Sequence, residues 1–333
     1  LLNGIEAADA ATKFSVSPEI EQKLEGRMRE SSEFLQAINV VPVIQQEGEK
    51  VGIDSTTPIA GRTDTSGGTK RNPIDPTDSS SLDRYFAKQT NFDTALRYAK
   101  LDAWRHKPEF QNLIRDAILR QQARDRIMIG FNGTSAAATT DKAANPLLQD
   151  VNEGWLHKIR TNAAERVLDD GALSGAGKAI YVHEGAVGVE VDYVNLDALA
   201  MDAAELLDEW HRDDTGLVAV VGRDLVHDKY FNIVNKAGDT ATEIEARDRI
   251  LRSEKQIGGF PAVRVPFFPA NALMITRLDN LSIYVQEETR RRMLKDEPEL
   301  DRVANYESVN EAYVVEEYGL VSLVENIVMA KKP

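Results

Sequence analysis

Apolar positions along this chain recur with two periods, and the places where each holds predict its elements. Residues 1–38 read as an extended lead followed by a helix. Ile20, Leu24, Met28 and Phe34 fall at helical spacing, and Ser17-Pro18 supply a cap and a first-turn residue. A longer helix is predicted over KPEFQNLIRDAILRQQARDRIMIGFNG. Pro108 stands near its start, Phe110, Leu113, Ile114 and Ala117 mark one face, and Ile127, Met128 and Phe131 resume it before the Asn132-Gly133 stop. At ~1.5 Å per residue such a helix exceeds ~30 Å, long enough to act as a spine. Within the loop-rich stretch 134–195 a helix forms around Trp155 and Ile159. Leu196, Leu199, Ala200, Ala203, Leu207 and Trp210 then outline an amphipathic helix, and RDLVHDKYFNIVNK and ATEIEARDRILRSEK read as two more. The other period is that of strands. NVVPVI, GLVAVVG, AVRVPF, ALMITR and LSIYVQ are strand runs, and VANYESVNEAYVVEEYGLVSLVENIVM alternates back towards a sheet. Helices and strands mix without a regular βαβ order, so the class is α+β.

One stretch obeys neither period. Residues 45–83 contain few large apolar side chains, and a compact domain seldom holds so long a run unless it is functional or unable to order itself. The alternation in EKVGID and the restart in DRYFAKQTNFDTALRY make it a two-stranded excursion with a polar tip. The tip, GRTDTSGGTKRNP, imitates a phosphate loop without being one. Lys70 follows Thr69 rather than the second glycine directly, and Asn72-Pro73 bars the helix that should receive the phosphates.

Composition narrows the functional classes. The 333 residues exceed what one core usually serves; 42% are apolar, and no run approaches the ~18 apolar residues of a membrane span. Forty Lys and Arg face 54 Asp and Glu, a net charge of −14 that repels nucleic acid and anionic membranes on average. With no cysteine there is no disulfide and no thiolate chemistry, and the simplest compartment is cytoplasmic. LLNGIEAADA begins at Leu1 and has neither a basic n-region nor an apolar h-region, so it reads as a trimmed chain.

The search for catalytic chemistry returns nothing. GALSGAGK lacks the third glycine of a dinucleotide fingerprint and the spacing of a nucleophile elbow. His183-Glu184 opens like a zinc helix, but Val187 occupies the place of the second histidine. His106, His157, His183, His211 and His227 are widely spaced, and the pairs Glu287-Glu288 and Glu316-Glu317 read as surface acids. No cofactor or metal is expected. Four arginines, Arg115, Arg120, Arg124 and Arg126, mark the polar sides of the long helix, either as a solvated face pairing with Asp116 and Asp125 or as contacts to a neighbouring subunit. An empty search in so large a chain favours a protein that assembles. The competing classes are a soluble α+β binding or scaffold module and a small-molecule enzyme, which would need a pocket of convergent polar groups.

The arm, polar hairpin, spine helix and inserted α+β unit resemble the Hong Kong 97-type fold of tailed-phage capsids. ESSEFLQAINVVPV, DTSGGTKRNP, IMIGFNG, NPLLQDVNEGWL, VVGRDLVHDKYFNIVNK, IGGFPAVRVPFFPANALMITRLDNLSIY and LDRVANYESVNEAYVVEEY are similar to the peduovirus-type (P2-like) major capsid proteins over nearly the whole chain. The resemblance implies an N-terminal arm over 1–38, an E-loop hairpin with flanking strands over 39–100 and a peripheral domain with the spine helix over 101–190. It further implies an axial domain over 191–280 and strands returning to both sheets over 281–333. The implied function is structural: hexamers and pentamers of an icosahedral shell, built on an internal scaffolding protein and trimmed by a protease. Double-stranded DNA would enter through a portal, and no membrane would take part. Arg62, Lys70 and Arg71 would then sit at the E-loop tip, available to acids of the next subunit. Lys70 and Asn72 have the residue types of an inter-subunit cross-link, but no carboxylate partner is placed by position, and none is predicted.

Overall fold

The computed structural model describes residues 14–15, 18–30, 32–50, 60, 62–64, 66, 70, 84–104, 110–174, 178–183, 191–225 and 256–332. Two sheets organise them. The larger has seven strands and is built around Arg302–Val315, a strand of 14 residues and, at ~3.3 Å each, roughly 46 Å long. On one edge it pairs antiparallel with Leu281–Gln286 and then Arg291–Glu297, two strands separated by a turn at 287–290 where Glu288 adopts a positive φ of 61°. On the other edge it pairs with Lys88–Asn91 and Thr94–Arg97. Asn39–Val43 adds parallel to Leu281–Gln286, and Phe14–Ser15 closes the far side against Arg291–Glu297. A separate small ladder, Glu47–Glu49 with Arg84–Phe86, forms the base of the predicted polar excursion.

The second sheet has six strands in the order Gln256–Ile257, Phe260–Val263, Val218–Val221, Leu273–Thr276, Val321–Val324 and Val167–Leu168. Leu273–Thr276 is buried throughout and Val218–Val221 nearly so, as a central strand covered on both faces must be. One face takes the helix Leu196–Ala204 through Leu196, Leu199, Ala200 and Ala203. From the other face Val220, Met274, Val321 and Leu323 join the core beneath the larger sheet, so the two sheets share one apolar interior.

That shared core is organised by the spine helix Phe110–Asn132 crossing Trp155–Asn162. The crossing is close because Gly130 presents no side chain. A Cβ there would stand 2.1 Å from the Trp155 ring, and one on Gly154 would stand 2.4 Å from the Ile129 and Gly130 carbonyls. Trp155 is fully buried, with Phe34, Phe131 and Tyr313 tilted or edge-on against it at centroid distances of 5.2–6.0 Å, and its indole N–H donates to the Ser282 carbonyl at 3.0 Å.

Most sequence-predicted elements are present, with three differences. The helix begun at Leu196 ends at Ala204 instead of reaching Trp210. Beyond it the chain turns to bond Gly319 through Asp208 N, and Arg166 holds the Leu206 carbonyl and the Asp208 carboxylate, which leaves Trp210 exposed. Arg291–Glu297, a charged run with no clear alternation, is a strand. And the apolar residues of the first half of the spine are not core: Leu113 and Ala117 are exposed, while Phe110 and Ile114 are only half-buried. Apart from residues 223–225, the helices read over 223–236 and 241–255 lie outside the described residues, as does the Ser17 cap.

Candidate assembly surfaces and an internal charge cluster

The arginines of the spine helix separate into two groups. Arg115 pairs with Asp116 at 3.0 Å, Arg120 donates to the Asp116 carbonyl at 3.2 Å, and Arg124 is exposed. These three stay on the polar side. Arg126 does not: it is 1% exposed, so its place among the polar-side arginines is corrected. It stands seven residues after Leu119 and three after Ala123, which puts it on the buried stripe of the helix. There it donates to Glu25 at 2.6 and 3.0 Å and through Nε to Glu311 at 2.9 Å. Arg290, equally buried, joins Glu25 at 2.7 Å and Glu307 at 3.0 Å.

Two guanidinium groups therefore serve three carboxylates. The consequence shows in their proton affinities. Burial acts to raise Glu25, but the Arg126 and Arg290 charges overcome it and hold the carboxyl down at about 2. Glu311 is fully buried, bonded through Oε1 only, and burial outweighs Arg126 to push it above the ordinary glutamate value. Glu21, one turn before Glu25, accepts from the backbone N–H of Glu288 at 3.2 Å and is raised by burial. The helix Pro18–Glu30 is thus fastened to spine and sheet by carboxylates as well as by Leu24 and Met28.

Other residues singled out in the sequence have structural partners. His211 Nε2 meets Glu317 at 2.6 Å, and Glu316 accepts from Tyr284 at 3.0 Å. Arg62 and Lys70 are exposed; Arg71, Asn72, His106 and His227 lie outside the described residues. Among the described residues no three His, Asp or Glu side chains form a metal-binding group, and no helix is long and apolar enough to cross a membrane.

A groove of about 660 Å³ runs along the spine from Phe110 to Met128, lined also by Leu96, Ile114, Ile118 and Leu148. Its polar rim is Asp93, Lys100, Asp125 and Lys142, mixed in sign and without a nucleophile paired to a base. An apolar trough along a helix, bordered by charge, is the profile of a surface that another polypeptide covers.

The two-sheet architecture with its spine helix is the Hong Kong 97-type fold of phage capsids. A solved structure of the satellite phage P4 procapsid including size determination (Sid) protein contains a chain that superposes with a TM-score of 0.84 at 45% identity. The match covers 97% of this chain and 95% of that one. The family model for the phage major capsid protein, P2 family, matches residues 1–327, and the chain belongs to that family. It is 48% identical to the capsid protein of Escherichia phage P2 over 330 residues, covering 98% of this chain and 90% of the relative. With the major capsid protein of Serratia phage KSP20 it shares 40% over 332 residues, covering 99% and 93%. Its role is that of a structural capsid subunit.

Proposed function

We propose that copies of this chain close into an icosahedral shell of hexamers and pentamers around double-stranded phage DNA, without catalysis. Shell growth on an internal scaffolding protein, trimming by a protease and filling through a portal complete the reading, with assembly in the host cytoplasm and no membrane. The observation that carries it is the uncovered apolar groove along the spine helix, in a chain whose family forms capsids. A single subunit leaves Leu113 and Ile114 in contact with water, and a neighbour removes that exposure in every copy.

Within this reading residues 1–38 act as the arm, 39–100 as the E-loop and its strands, 101–190 as the peripheral domain, 191–280 as the axial domain and 281–333 as strands returning to both. Arg62, Lys70 and Arg71 at the loop tip, with Arg115, Arg120 and Arg124 on the spine, supply cations to acids of adjacent subunits. The net charge of −14 suits a container whose packed DNA must move, because a cationic lining would retain it. Electron microscopy of the chain expressed with its cognate scaffolding protein tests the reading. Closed shells of uniform diameter are expected; monodisperse monomers at high concentration would point to the soluble-module alternative.

A further inference from the structure

The internal charge cluster is short of cations, and on one side it reaches the surface. Arg126 and Arg290 already serve Glu25, Glu307 and Glu311. Two further acids, Glu21 and Glu287, stand near Glu25 and make no ion pair among the described residues. Glu21 is 5% exposed; its Oε2 accepts from the Glu288 N–H at 3.2 Å, while Oε1 has no hydrogen-bond partner among the described residues. Burial raises its carboxyl despite the Arg290 charge, and the Glu25 and Glu287 charges raise it further.

Both acids line a pocket of about 210 Å³ between the helix Pro18–Glu30 and the strands Asn39–Val43 and Leu281–Gln286. Its walls are apolar, formed by Val40, Pro42 and Val285. Its mouth is open: Gln22 and Pro42 are exposed, and a Cβ built on Gly26 would meet nothing within 4 Å. Arg29 borders the pocket, but its guanidinium donates to the Leu35, Gln36 and Ile38 carbonyls at 3.4–3.5 Å.

We infer that this pocket receives a lysine or arginine side chain of a neighbouring copy of the chain. Those two side chains combine a hydrocarbon stem for the apolar walls with a cation for the acids behind them. A nucleic acid would bring anions to carboxylates, and a metal ion would find no ligand atom on the three apolar walls. The second copy has cations to give: Arg62, Lys70 and Arg124 are exposed and make no ion pair among the described residues. The inference rests on the shell reading, which brings copies side by side.

The test replaces Gln22, at the mouth, with the photo-cross-linking residue p-benzoylphenylalanine, and shells and free subunits of the full chain are irradiated. A covalent dimer is expected in shells and not in free subunits, with mass spectrometry placing the bond beside a lysine or arginine of the second copy. Two variants then separate charge from space. Glu21→Gln keeps an acceptor for the Glu288 N–H but removes the charge, and should lower shell yield about tenfold, as loss of a hydrogen bond to a charged group does. Gly26→Leu fills the pocket from the helix and should remove the dimer and lower yield by a similar factor. Leucine favours a helix over glycine, so the melting temperature of its free subunit should not fall. Cross-links confined to one chain, cross-links to nucleic acid or another protein, or parental yield in either variant overturn the pocket assignment and leave the shell reading standing. Absence of shells from the unsubstituted chain overturns both.

Discussion

The interior around the six-stranded sheet and the interior beneath the N-terminal helix are both buried and filled in opposite ways. In the first, Leu199, Ala203, Val221, Leu273 and Ile275 pack hydrocarbon on hydrocarbon, and burial itself is the stabilising term. In the second, Arg126 and Arg290 share three carboxylates among Leu24, Met28 and Ile127. Ion pairs there offset a desolvation cost that apolar residues never incur, so they add little net stability while making one orientation of the helix far better than any other. An apolar interface tolerates sliding and repacking; a guanidinium fitted between Glu25 and Glu311 does not. The difference is a division of labour: the six-stranded sheet supplies stability, and the charge cluster sets where the helix Pro18–Glu30 attaches.

The largest expected effect comes from breaking the cluster on one side. Arg126→Met leaves Glu25 and Glu311 without that partner in a buried site and should cost about 3–5 kcal/mol, read as a lower urea midpoint. Combining Arg126→Met with Glu25→Gln and Glu311→Leu should recover most of that loss, because the uncompensated charges leave together. If the triple variant is no more stable than the single one, these charges act through packing and the comparison fails.

In the apolar region Leu273→Ala should cost about 2–5 kcal/mol by transfer and cavity terms. Unlike the cluster variants, it should show the same loss at pH 4 and pH 8. Calorimetry at both values separates the two kinds of interior.

Acidification should act only on the second region. A carboxyl held below its unfolded value contributes stability that is present above that value and lost as pH falls through the folded one. For Glu25 the loss therefore runs from roughly pH 4.5 down to about 2. Glu311 is raised and has the opposite sign: its contribution is present at low pH and fades as pH rises through its folded value, so it acts above the Glu25 window and leaves the acid-side loss to Glu25. Amide protection, relative to the intrinsic rate at each pH, should fall over residues 18–30 on acidification before it falls in Leu273–Thr276, and Glu25→Gln should flatten the response. Simultaneous loss in both regions would mean that the helix Pro18–Glu30 has no separate attachment.

How much of this contrast is legible in the sequence depends on the distance over which it is written. The spine helix, the strands at 218–221, 273–276 and 281–286 and the arm helix all follow from local periodicity, because each buries a face that repeats within a few residues. The cluster is not local. Arg126 finds its partners 101 and 185 positions away, and arginine in isolation reads as surface. Its position on the Leu119–Ala123 stripe was the one available cue. Arg291–Glu297 was hidden for a related reason: a strand half-open to solvent can carry RRMLKDE because its neighbour, not its alternation, defines it. Leu113 and Ala117 mark an apolar face in the sequence and are exposed in the fold, because periodicity reports that a face is apolar without saying what covers it.

The smallest effect per residue is expected at the predicted loop tip. Residues 45–83 contain too little apolar surface to hold a shape through a core of their own, so the tip can contribute only through contacts made elsewhere. Arg62 and Lys70 are exposed, and each exposed ion pair contributes only ~0.2–1 kcal/mol. Such a term is invisible in the melting of one subunit. In a closed shell it recurs in every copy, and small terms at equivalent contacts favour the same closed product. Replacing Arg62, Lys70 and Arg71 together with Ala should therefore leave circular dichroism and melting temperature unchanged while reducing shell yield. The residual assembly should be less sensitive to salt than that of the parent chain, because the screened attraction has been removed. If the triple variant assembles with parental yield and parental salt dependence, the tip is a spacer and its charges have no part in joining subunits.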